Sequence, residues 1–224
     1  MSSELPTLAE LRGGLYSAVV SDALDGLGYR RQSPQFPRGE AFPVRTASGR
    51  VLLGRCRTTL WGDLAHEDPR PYALELAAVD DCRPDDVLIC AAGGSLRSGI
   101  WGELLTTAAC NRGCVGAVVD GAVRDVARIR ALDFPVFAAG VCVYDSLHRQ
   151  RVVDRDVPVE VGGVTIRSGD WVIADEDGVV VIPGEVRDDA LRRAWEKVHA
   201  ENRTRDAIRA GMGAAEAYAR FGVL

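Results

Sequence analysis

Glu103, Arg124 and Asp125 are the side chains whose types and spacing in this sequence best suit chemistry. Twenty residues separate Glu103 from the Arg124-Asp125 pair, and Asp120 lies just before that pair. Carboxylates that converge on one pocket suit a hard divalent ion such as Mg²⁺ or Mn²⁺, which binds oxygen ligands. Arg124 would then hold a carboxylate of the substrate with its planar fork. The alternative is a surface network of ion pairs in which acids bracket Arg124.

The elements predicted around these residues would bring them to one edge of a sheet. The pattern predicts strands over Val87 to Ala92 and Val115 to Val119, with a helix between them that opens near Trp101. A second helix, Val126 to Leu132, follows Asp125. This order is typical of a βαβ unit, and open α/β sheets bind ligands at the carboxyl ends of their strands. The stretch is therefore predicted to hold an active site.

Gly93-Gly94-Ser95 predicts a loop after the first of these strands. Glycine lets the backbone approach a ligand closely, and the amides that open the next helix have no intrahelical acceptor. The sequence has neither a Walker loop nor a GxGxxG pattern, which disfavours a nucleotide phosphate. Gly94, Ser95 and the amides of Leu104 and Leu105 are therefore predicted to bind a carboxylate. A glycine loop before a helix is also an ordinary connection between two elements.

The length and net charge of the chain limit the kinds of partner that it is expected to bind. A chain of 224 residues can bury a substantial core, and its net charge of -5 disfavours a broad surface for nucleic acid or an anionic membrane. A small molecule is the expected partner. The six cysteines include no CxxC pair, so small apolar residues in a reducing compartment are expected rather than a zinc site. The N-terminus lacks a secretory pattern and no apolar run approaches about 18 residues, so a cytoplasmic location is expected.

The remaining chain predicts a scaffold of helices and short strands. Thr7, with Glu10 three residues later, predicts a capping box at the start of the first helix. Asp22 is predicted to be a solvent-facing or capping carboxylate. The long charged helix from Gly184 to about Gly211 carries an apolar stripe through Leu191, Trp195, Val198 and Ile208. The other predicted helices are Leu5 to Arg12, Leu15 to Leu27 and Tyr72 to Val79, and a connection is predicted over Tyr29 to Arg50. The other predicted strands are Val51 to Trp61, Pro135 to Val143, Val157 to Val161, Val164 to Ile166, Trp171 to Ala174 and Gly178 to Ile182.

Three segments resemble the RraA-like family, which includes 4-hydroxy-4-methyl-2-oxoglutarate aldolases, oxaloacetate decarboxylases and the regulator of RNase E activity. They are VVSDALDGLG, GELLTTAACNRGCVGAVVDGAVRDVARIRALDFPVFAAG and GDWVIADEDGVVVIP, and the resemblance covers about Val19 to Pro183. The family's metal-dependent aldolases carry an acidic residue, twenty residues and then Arg-Asp. Here the signature reads Glu103, twenty residues and Arg124-Asp125, whereas many members have Asp at the first position.

The resemblance implies an α/β fold, an αββ/βαβ sandwich similar to the swivelling phosphohistidine domain, with helical extensions at both ends. Residues 1–183 would form the catalytic domain. Residues 184–224 would form a C-terminal helical extension that packs on its own or a neighbouring subunit. Family members usually assemble as trimers or hexamers, so a homotrimer or homohexamer is expected.

The resemblance also implies roles for individual residues. Asp125 would be the direct ligand of a divalent metal, and Glu103 would hold metal-bound water. Arg124 would bind the keto acid, whose carboxylate the amides of Leu104 and Leu105 would receive. In the family's aldolases a glutamate from the C-terminal helix of the adjacent subunit completes the site. Glu201 is the first candidate here and Glu196 the second, although an exposed helix face also explains such charges.

A divalent-metal-dependent lyase is therefore expected, one that cleaves a 4-hydroxy-2-oxo acid to pyruvate by a retro-aldol reaction. Oxaloacetate decarboxylation would be a side activity, because both reactions pass through the enolate of pyruvate. The only lysine is Lys197, on the charged helix, which disfavours an imine mechanism. The alternative is a non-catalytic protein that binds and inhibits an RNA-processing enzyme, and the long C-terminal helix favours the enzyme. No motif identifies the side chain of the substrate.

Overall fold

Ten strands and seven α-helices make up the part of the chain that the computed structural model describes, residues 5–35, 42–47 and 49–223. The strands are β1 (Val44–Arg45), β2 (Leu52–Asp63), β3 (Asp86–Trp101), β4 (Gly116–Val123), β5 (Val136–Val141), β6 (Gln150–Arg155), β7 (Val159–Val161), β8 (Val164–Ile166), β9 (Trp171–Ala174) and β10 (Val179–Ile182). The helices are α1 (Leu8–Gly14), α2 (Ser17–Gly26), α3 (Ala73–Asp80), α4 (Glu103–Asn111), α5 (Val126–Ala131), α6 (Arg187–Arg209) and α7 (Ala214–Phe221).

One mixed sheet organises these elements, in the order β1-β5-β4-β3-β2-β9-β10 with β6 beside β2. The strands β2, β3, β4 and β5 are parallel neighbours. The outer strands β1, β6, β9 and β10 pair antiparallel, and β7 and β8 form a separate hairpin. The α/β prediction is confirmed. The likeness to the swivelling phosphohistidine domain and the division at residue 183 stay predictions.

Apolar side chains cover both faces of the central strands. Every position of β4 is buried, as expected for a parallel strand covered on both sides. Leu88 packs with Ile129 and the helices α3 to α5, whereas its neighbour Ile89 packs with Val161 and the β7-β8 hairpin. Successive residues of a strand point to opposite faces. The helices and the hairpin therefore lie on opposite sides of the sheet and hold the ends of β3 and β4 in place between them.

The predicted terminal helices are confirmed. Thr7 caps α1 in a capping box with Glu10, as the sequence predicts. On α6, Leu191 and Val198 are buried against α1 and α2, whereas Ile208, at the far end of the predicted stripe, is 37% exposed. Within the described residues, no helix has the length and apolar character needed to cross a membrane.

The predicted ends of two strands are wrong. β3 does not stop at Gly93 but continues to Trp101, because Gly93 and Gly94 take left-handed conformations (φ 59° and 73°) and form a bulge. The strand then pairs with β4 again at Ser95. β4 itself runs past its predicted end to Val123, and β6 was not predicted. The connection from Tyr29 to Arg50 contains only β1 among its described residues, and positions 36–41 and 48 lie outside them.

Candidate active site

A pocket of about 270 Å³, here called the candidate pocket, lies at the carboxyl ends of β3 and β4 beside the first turns of α3 and α4. Its walls are formed by Tyr72, Glu75, Leu76, Gly99, Ile100, Gly102, Leu104, Leu105, Arg124, Asp125, Asp145 and Ser146. Parallel strands end at the same edge of a sheet, so side chains from distant parts of the sequence meet there. Arg124 and Asp125 share this pocket, at the edge of the sheet where the sequence places them.

Two carboxylates bracket the guanidinium of Arg124. Its Nη2 lies 2.7 Å from Oδ2 of Asp145, and its Nε lies 3.8 Å from Oδ2 of Asp125. The Arg124 amide donates to the carbonyl of Trp101 over 2.9 Å, which fixes the start of the side chain beside the end of β3. All three charged side chains are about a third exposed. Ion pairs this exposed stabilise a fold by only about 0–1 kcal/mol, so the arrangement contributes little to stability.

Asp125 adopts a left-handed backbone conformation (φ 58°, ψ 28°) just before α5. Asp and Asn tolerate this region better than other side chains. Oδ2 of Asp125 accepts a hydrogen bond from the Glu103 amide over 3.3 Å. A Cβ at Gly102 would lie 2.9 Å from that same Oδ2 and 3.2 Å from Cγ of Arg124. The start of α4 and the Arg124-Asp125 pair therefore touch only because residue 102 has no side chain.

Glu103 opens α4 at the edge of the candidate pocket rather than in its lining. Its Oε1 accepts a hydrogen bond from the Thr107 hydroxyl over 2.9 Å. Leu104 and Leu105 follow in the first turn of α4 and both line the pocket. Amides in the first turn have no intrahelical acceptor, so the backbone predicted to receive a carboxylate lies beside Arg124.

Asp120 does not join these residues, so the predicted convergence of three carboxylates is wrong. It lies inside β4, only 2% exposed, and the amides of Gly94 and Gly93 face its carboxylate. Burial raises the pKa of Asp120, and those two amides oppose the rise. The glycine bulge therefore faces a carboxylate of this chain. Gly94 and Ser95 lie outside the candidate pocket, and Ser95 donates to Oδ1 of Asp63 over 2.9 Å; their role in substrate binding stays a prediction.

Asp145 is one of the pocket residues that sequence reasoning missed. Its Oδ1 accepts hydrogen bonds from the Tyr72 hydroxyl over 2.5 Å and from the Leu147 amide over 2.7 Å. Burial alone would raise the pKa of Asp145, but these bonds and the charge of Arg124 hold the pKa below its ordinary value. The bond to residue i+2 marks an Asx turn. An Asp that starts a turn can be recognised from the sequence, but the sequence does not show that this Asp contacts Arg124.

Glu75 reaches the candidate pocket from the first turn of α3. The residue is only 8% exposed, and its Oε2 lies 3.4 Å from the Ser146 hydroxyl that donates to it. Burial, and then the negative charge of Asp145, raise the pKa of Glu75 to about 8. At neutral pH this side chain is therefore a protonated acid, whereas Asp145 beside it is ionised.

The raised pKa of Glu75 predicts that the folded chain loses stability with rising pH. Between about pH 4.5 and pH 8 the unfolded chain releases this proton while the folded chain keeps it. Raising the pH over this range therefore favours unfolding, by on the order of 3 to 5 kcal/mol. Urea unfolding measures the free energy of unfolding at pH 5 and at pH 8. Between these two pH values the wild type should lose this amount of free energy relative to Glu75→Gln, which has no proton to release. A difference between the two proteins that does not change with pH would contradict a protonated Glu75.

Glu201 lies outside the candidate pocket of its own chain and lines a different pocket, between α6 and α2. It accepts a hydrogen bond from the Tyr16 hydroxyl and lies 3.8 Å from Nζ of Lys197 and 3.7 Å from Nη2 of Arg205. Burial, and then this bond, raise the pKa of Tyr16 to about 12. Only another copy of the chain could therefore bring Glu201 to the candidate pocket. That role of Glu201, and of Glu196 as the second candidate, stays a prediction.

The side chains at the candidate pocket could bind a metal ion only together with several water ligands. The described residues contain no group of three or more His, Cys, Asp or Glu side chains placed to hold an ion. A closed site built from protein ligands alone is therefore not formed within the described chain. Asp125 and Glu103 offer two hard carboxylates close to the mouth of the pocket. Mg²⁺ typically takes one or two carboxylates and keeps several waters, and these residues fit that mode.

Comparison with known proteins places this geometry in a family. Residues 17–181 match the family model RraA-like, described as Aldolase/RraA. The chain belongs to the RraA-like family. Every residue of the candidate pocket lies within the RraA-like match, whereas Glu201 lies beyond it.

Individual relatives carry different names. The protein DlpA of Legionella pneumophila is 30% identical over 213 residues, 94% of this chain, but this chain spans only 33% of DlpA. A 4-hydroxy-4-methyl-2-oxoglutarate aldolase of Thermus thermophilus is 33% identical over 154 residues, 67% of this chain and 89% of that protein. The solved structure of Streptomyces coelicolor RraAS2, an unusual member of the RNase ES inhibitor RraA family, is 30% identical with a TM-score of 0.72, covering 91% of this chain and 99% of that chain.

Proposed function

We propose that this chain is a divalent-metal-dependent lyase that cleaves a 4-hydroxy-2-oxo acid, similar to 4-hydroxy-4-methyl-2-oxoglutarate, into pyruvate and a second carbonyl compound. Oxaloacetate decarboxylation is its side activity. The observation that carries the proposal is the pairing of Arg124 with Asp125 at the carboxyl ends of the strands, beside the first turn of α4. The aldolase name of the Thermus thermophilus relative supports the same reaction class.

The charges of the candidate pocket support a need for a cation. Asp125 and Asp145 are acids beside one guanidinium, that of Arg124. A keto acid with two carboxylates would add further negative charge to this small space. Asp125 would hold Mg²⁺ or Mn²⁺ directly, and Glu103 would hold it through water. The ion supplies a Lewis acid for the carbonyl group of the substrate.

Arg124 is the group that would grip the substrate. Its planar fork matches a carboxylate with two parallel hydrogen bonds. In the free chain Asp145 takes one side of that fork, at 2.7 Å, so the substrate must share or displace this contact. The amides of Leu104 and Leu105 would receive the same carboxylate from the other side. Together they stabilise the charge that develops on the enolate as the carbon-carbon bond breaks.

The position of Lys197 supports this mechanism over an imine. Lys197 lies on α6 outside the candidate pocket, with its Nζ 2.6 Å from Oδ2 of Asp22. Asp22 is thus the ion-pair partner of Lys197, and its half-exposed side chain fits the solvent-facing carboxylate that was one of the two predicted roles. No other lysine exists in the sequence. A Schiff base with the substrate therefore has no amine in the pocket to form it.

A homotrimer or homohexamer would complete the site. In this assembly Glu201 of a neighbouring copy would lie near the mouth of the pocket and hold the water that takes the proton of the C4 hydroxyl. The pocket has an exposed apolar rim that a second copy can cover. Its residues line the pocket or follow a lining residue closely in sequence, and they are Leu104 (76% exposed), Val143 (82%) and Tyr144 (59%).

A non-catalytic role is the second candidate. The likeness to RraAS2 across 91% of this chain favours it, because that protein belongs to a family of RNase inhibitors. Such a protein would contact an RNA-processing enzyme through its surface and would need no turnover in the candidate pocket.

Pyruvate release separates these two functions. The purified chain is expected to release pyruvate from 4-hydroxy-4-methyl-2-oxoglutarate and from oxaloacetate with Mg²⁺ present, and to lose the activity by about a hundredfold or more with excess EDTA. A coupled lactate dehydrogenase assay measures both rates, with the metal restored as the control. No turnover of either keto acid would favour the inhibitor, and unchanged turnover in EDTA would exclude the metal-dependent mechanism.

A further inference from the structure

Glu75 is a buried acid in the candidate pocket for which the mechanism above has no use. It lines the pocket from α3, whereas Glu103 lies at the edge of the pocket on α4. Glu75 also lines a second, small cavity together with apolar and aromatic side chains that include Trp61, Leu88 and Trp101. The only side-chain hydroxyl within hydrogen-bond distance among the described residues is that of Ser146, at 3.4 Å.

Burial, and then the charge of Asp145, keep a proton on Glu75. Asp145 repels a negative charge at this position, and Arg124 favours one but is already paired with Asp145. Cys90 on β3 faces it as a neutral thiol, because burial raises the pKa of that thiol to about 12. The Tyr72 hydroxyl donates its own hydrogen to Asp145. The Asp68-Arg151 pair lines another small cavity that Glu75 also borders, and its two charges neutralise one another.

The proposed reaction needs a proton donor in this pocket. Breaking the bond between C3 and C4 leaves its electron pair on C3, as the enolate of pyruvate. Asp145 has no proton to give, because its hydrogen bonds and the charge of Arg124 hold its pKa below the ordinary value. Asp125 is the proposed ligand of the cation, and Arg124 is the proposed clamp for the substrate carboxylate. Glu75 is therefore the carboxyl group lining the pocket that holds a proton when the enolate forms.

We propose that Glu75 is a catalytic residue, the general acid that protonates C3 of the pyruvate enolate; this role rests on the proposed lyase function. The O–H bond of Glu75 breaks as the C3–H bond forms, and the electron pair of the C2–C3 double bond makes the new bond. The C2 carbonyl re-forms, and Glu75 is left as a carboxylate. The proton taken from the C4 hydroxyl, or one from water, then restores the acid.

Exchange of the methyl protons of pyruvate measures the protonation of C3 by itself. In this exchange the enzyme removes a methyl proton to form the enolate and then returns a deuteron to C3, and no carbon-carbon bond is cleaved. Wild-type chain, pyruvate and Mg²⁺ in D₂O are expected to lose the methyl signal in ¹H NMR. Glu75→Gln, which keeps the size and neutrality of the protonated acid, is expected to slow this loss by about a hundredfold or more. Glu160→Gln makes the same change at an exposed position of β7 and is expected to match the wild type.

Glu75→Asp provides a second variant, since it keeps an acid on a shorter side chain. Its exchange is expected to lie between those of the wild type and Glu75→Gln. Exchange by folded Glu75→Gln within about threefold of the wild type, or equal exchange in the two Glu75 variants, would overturn the role of Glu75 while leaving the lyase in place. If the wild type released pyruvate from its substrates but did not exchange the methyl protons of pyruvate, the role of Glu75 would also be overturned and the lyase function would stand. If the wild type neither released pyruvate nor exchanged its protons, the lyase function and the role of Glu75 would both be overturned.

Discussion

Replacing Arg124 by lysine is expected to lower kcat/KM for pyruvate release by about a thousandfold. Lysine keeps the positive charge but is a point donor without the planar fork that matches a carboxylate. Its ammonium group also cannot keep the contact with Asp145 while it makes two parallel hydrogen bonds to a substrate carboxylate, as the guanidinium can with its five N–H donors in a fixed fork. Removing one preorganised donor from a developing negative charge typically costs about 100-fold to 1000-fold in rate, and Arg124 is proposed to supply binding as well.

Steady-state kinetics with both keto acids would measure the effect of Arg124→Lys. The matched control is Arg112→Lys, because Arg112 forms an ion pair with Asp80 at 3.2 Å on the exposed end of α4, away from the pocket. The control is expected to stay within about twofold of the wild type. If Arg124→Lys retained more than a fifth of the wild-type kcat/KM, the guanidinium would not be the substrate clamp. The Arg124 contacts with Asp125 and Asp145 would then be no more than the exposed ion pairs of the alternative interpretation.

The sequence predicted the scaffold of the site well because local rules govern it. Thr7 and Glu10 form the predicted capping box, and the apolar runs after Asp86 and Gly113 become β3 and β4. Apolar periodicity and end signals depend on neighbours within a few residues, so they can be read without the fold. The position of Arg124 and Asp125 at a strand end followed from this order of elements.

What the sequence did not reveal depends on contacts over long distances in the chain. Asp145 meets Arg124 from 21 positions away, and Glu75 is 71 positions from Ser146. The burial that turns Glu75 into a protonated acid comes from packing of several elements, and no periodicity within α3 indicates it. Gly93 and Gly94 were predicted as a loop because left-handed glycines occur in both loops and bulges. Only the renewed pairing of β3 with β4 decides between them.

Replacing Asp125 by asparagine is expected to weaken activation by Mg²⁺ and to lower pyruvate release by at least about a hundredfold. The substitution removes the negative charge proposed to hold the ion directly, and neutral amide oxygens are much weaker partners for Mg²⁺ than carboxylates. Asparagine is the informative choice, because residue 125 has a left-handed backbone (φ 58°) that Asn tolerates and alanine does not. Asp125→Ala would add backbone strain to the loss of the ligand, and the two effects could not be separated.

Titration of activity with Mg²⁺ tests the ligand role of Asp125 directly. Asp125→Asn should need far more Mg²⁺ for half its maximal rate, whereas a merely structural Asp125 would lower the rate at every Mg²⁺ concentration without moving the midpoint. Asp133→Asn is the control, since Asp133 also has a left-handed backbone (φ 52°) and a strong partner, Arg50, at 2.6 Å, yet lies outside the candidate pocket. An unchanged midpoint in Asp125→Asn would therefore remove Asp125 as the direct ligand, while a shift confined to that variant would place the ion beside Arg124.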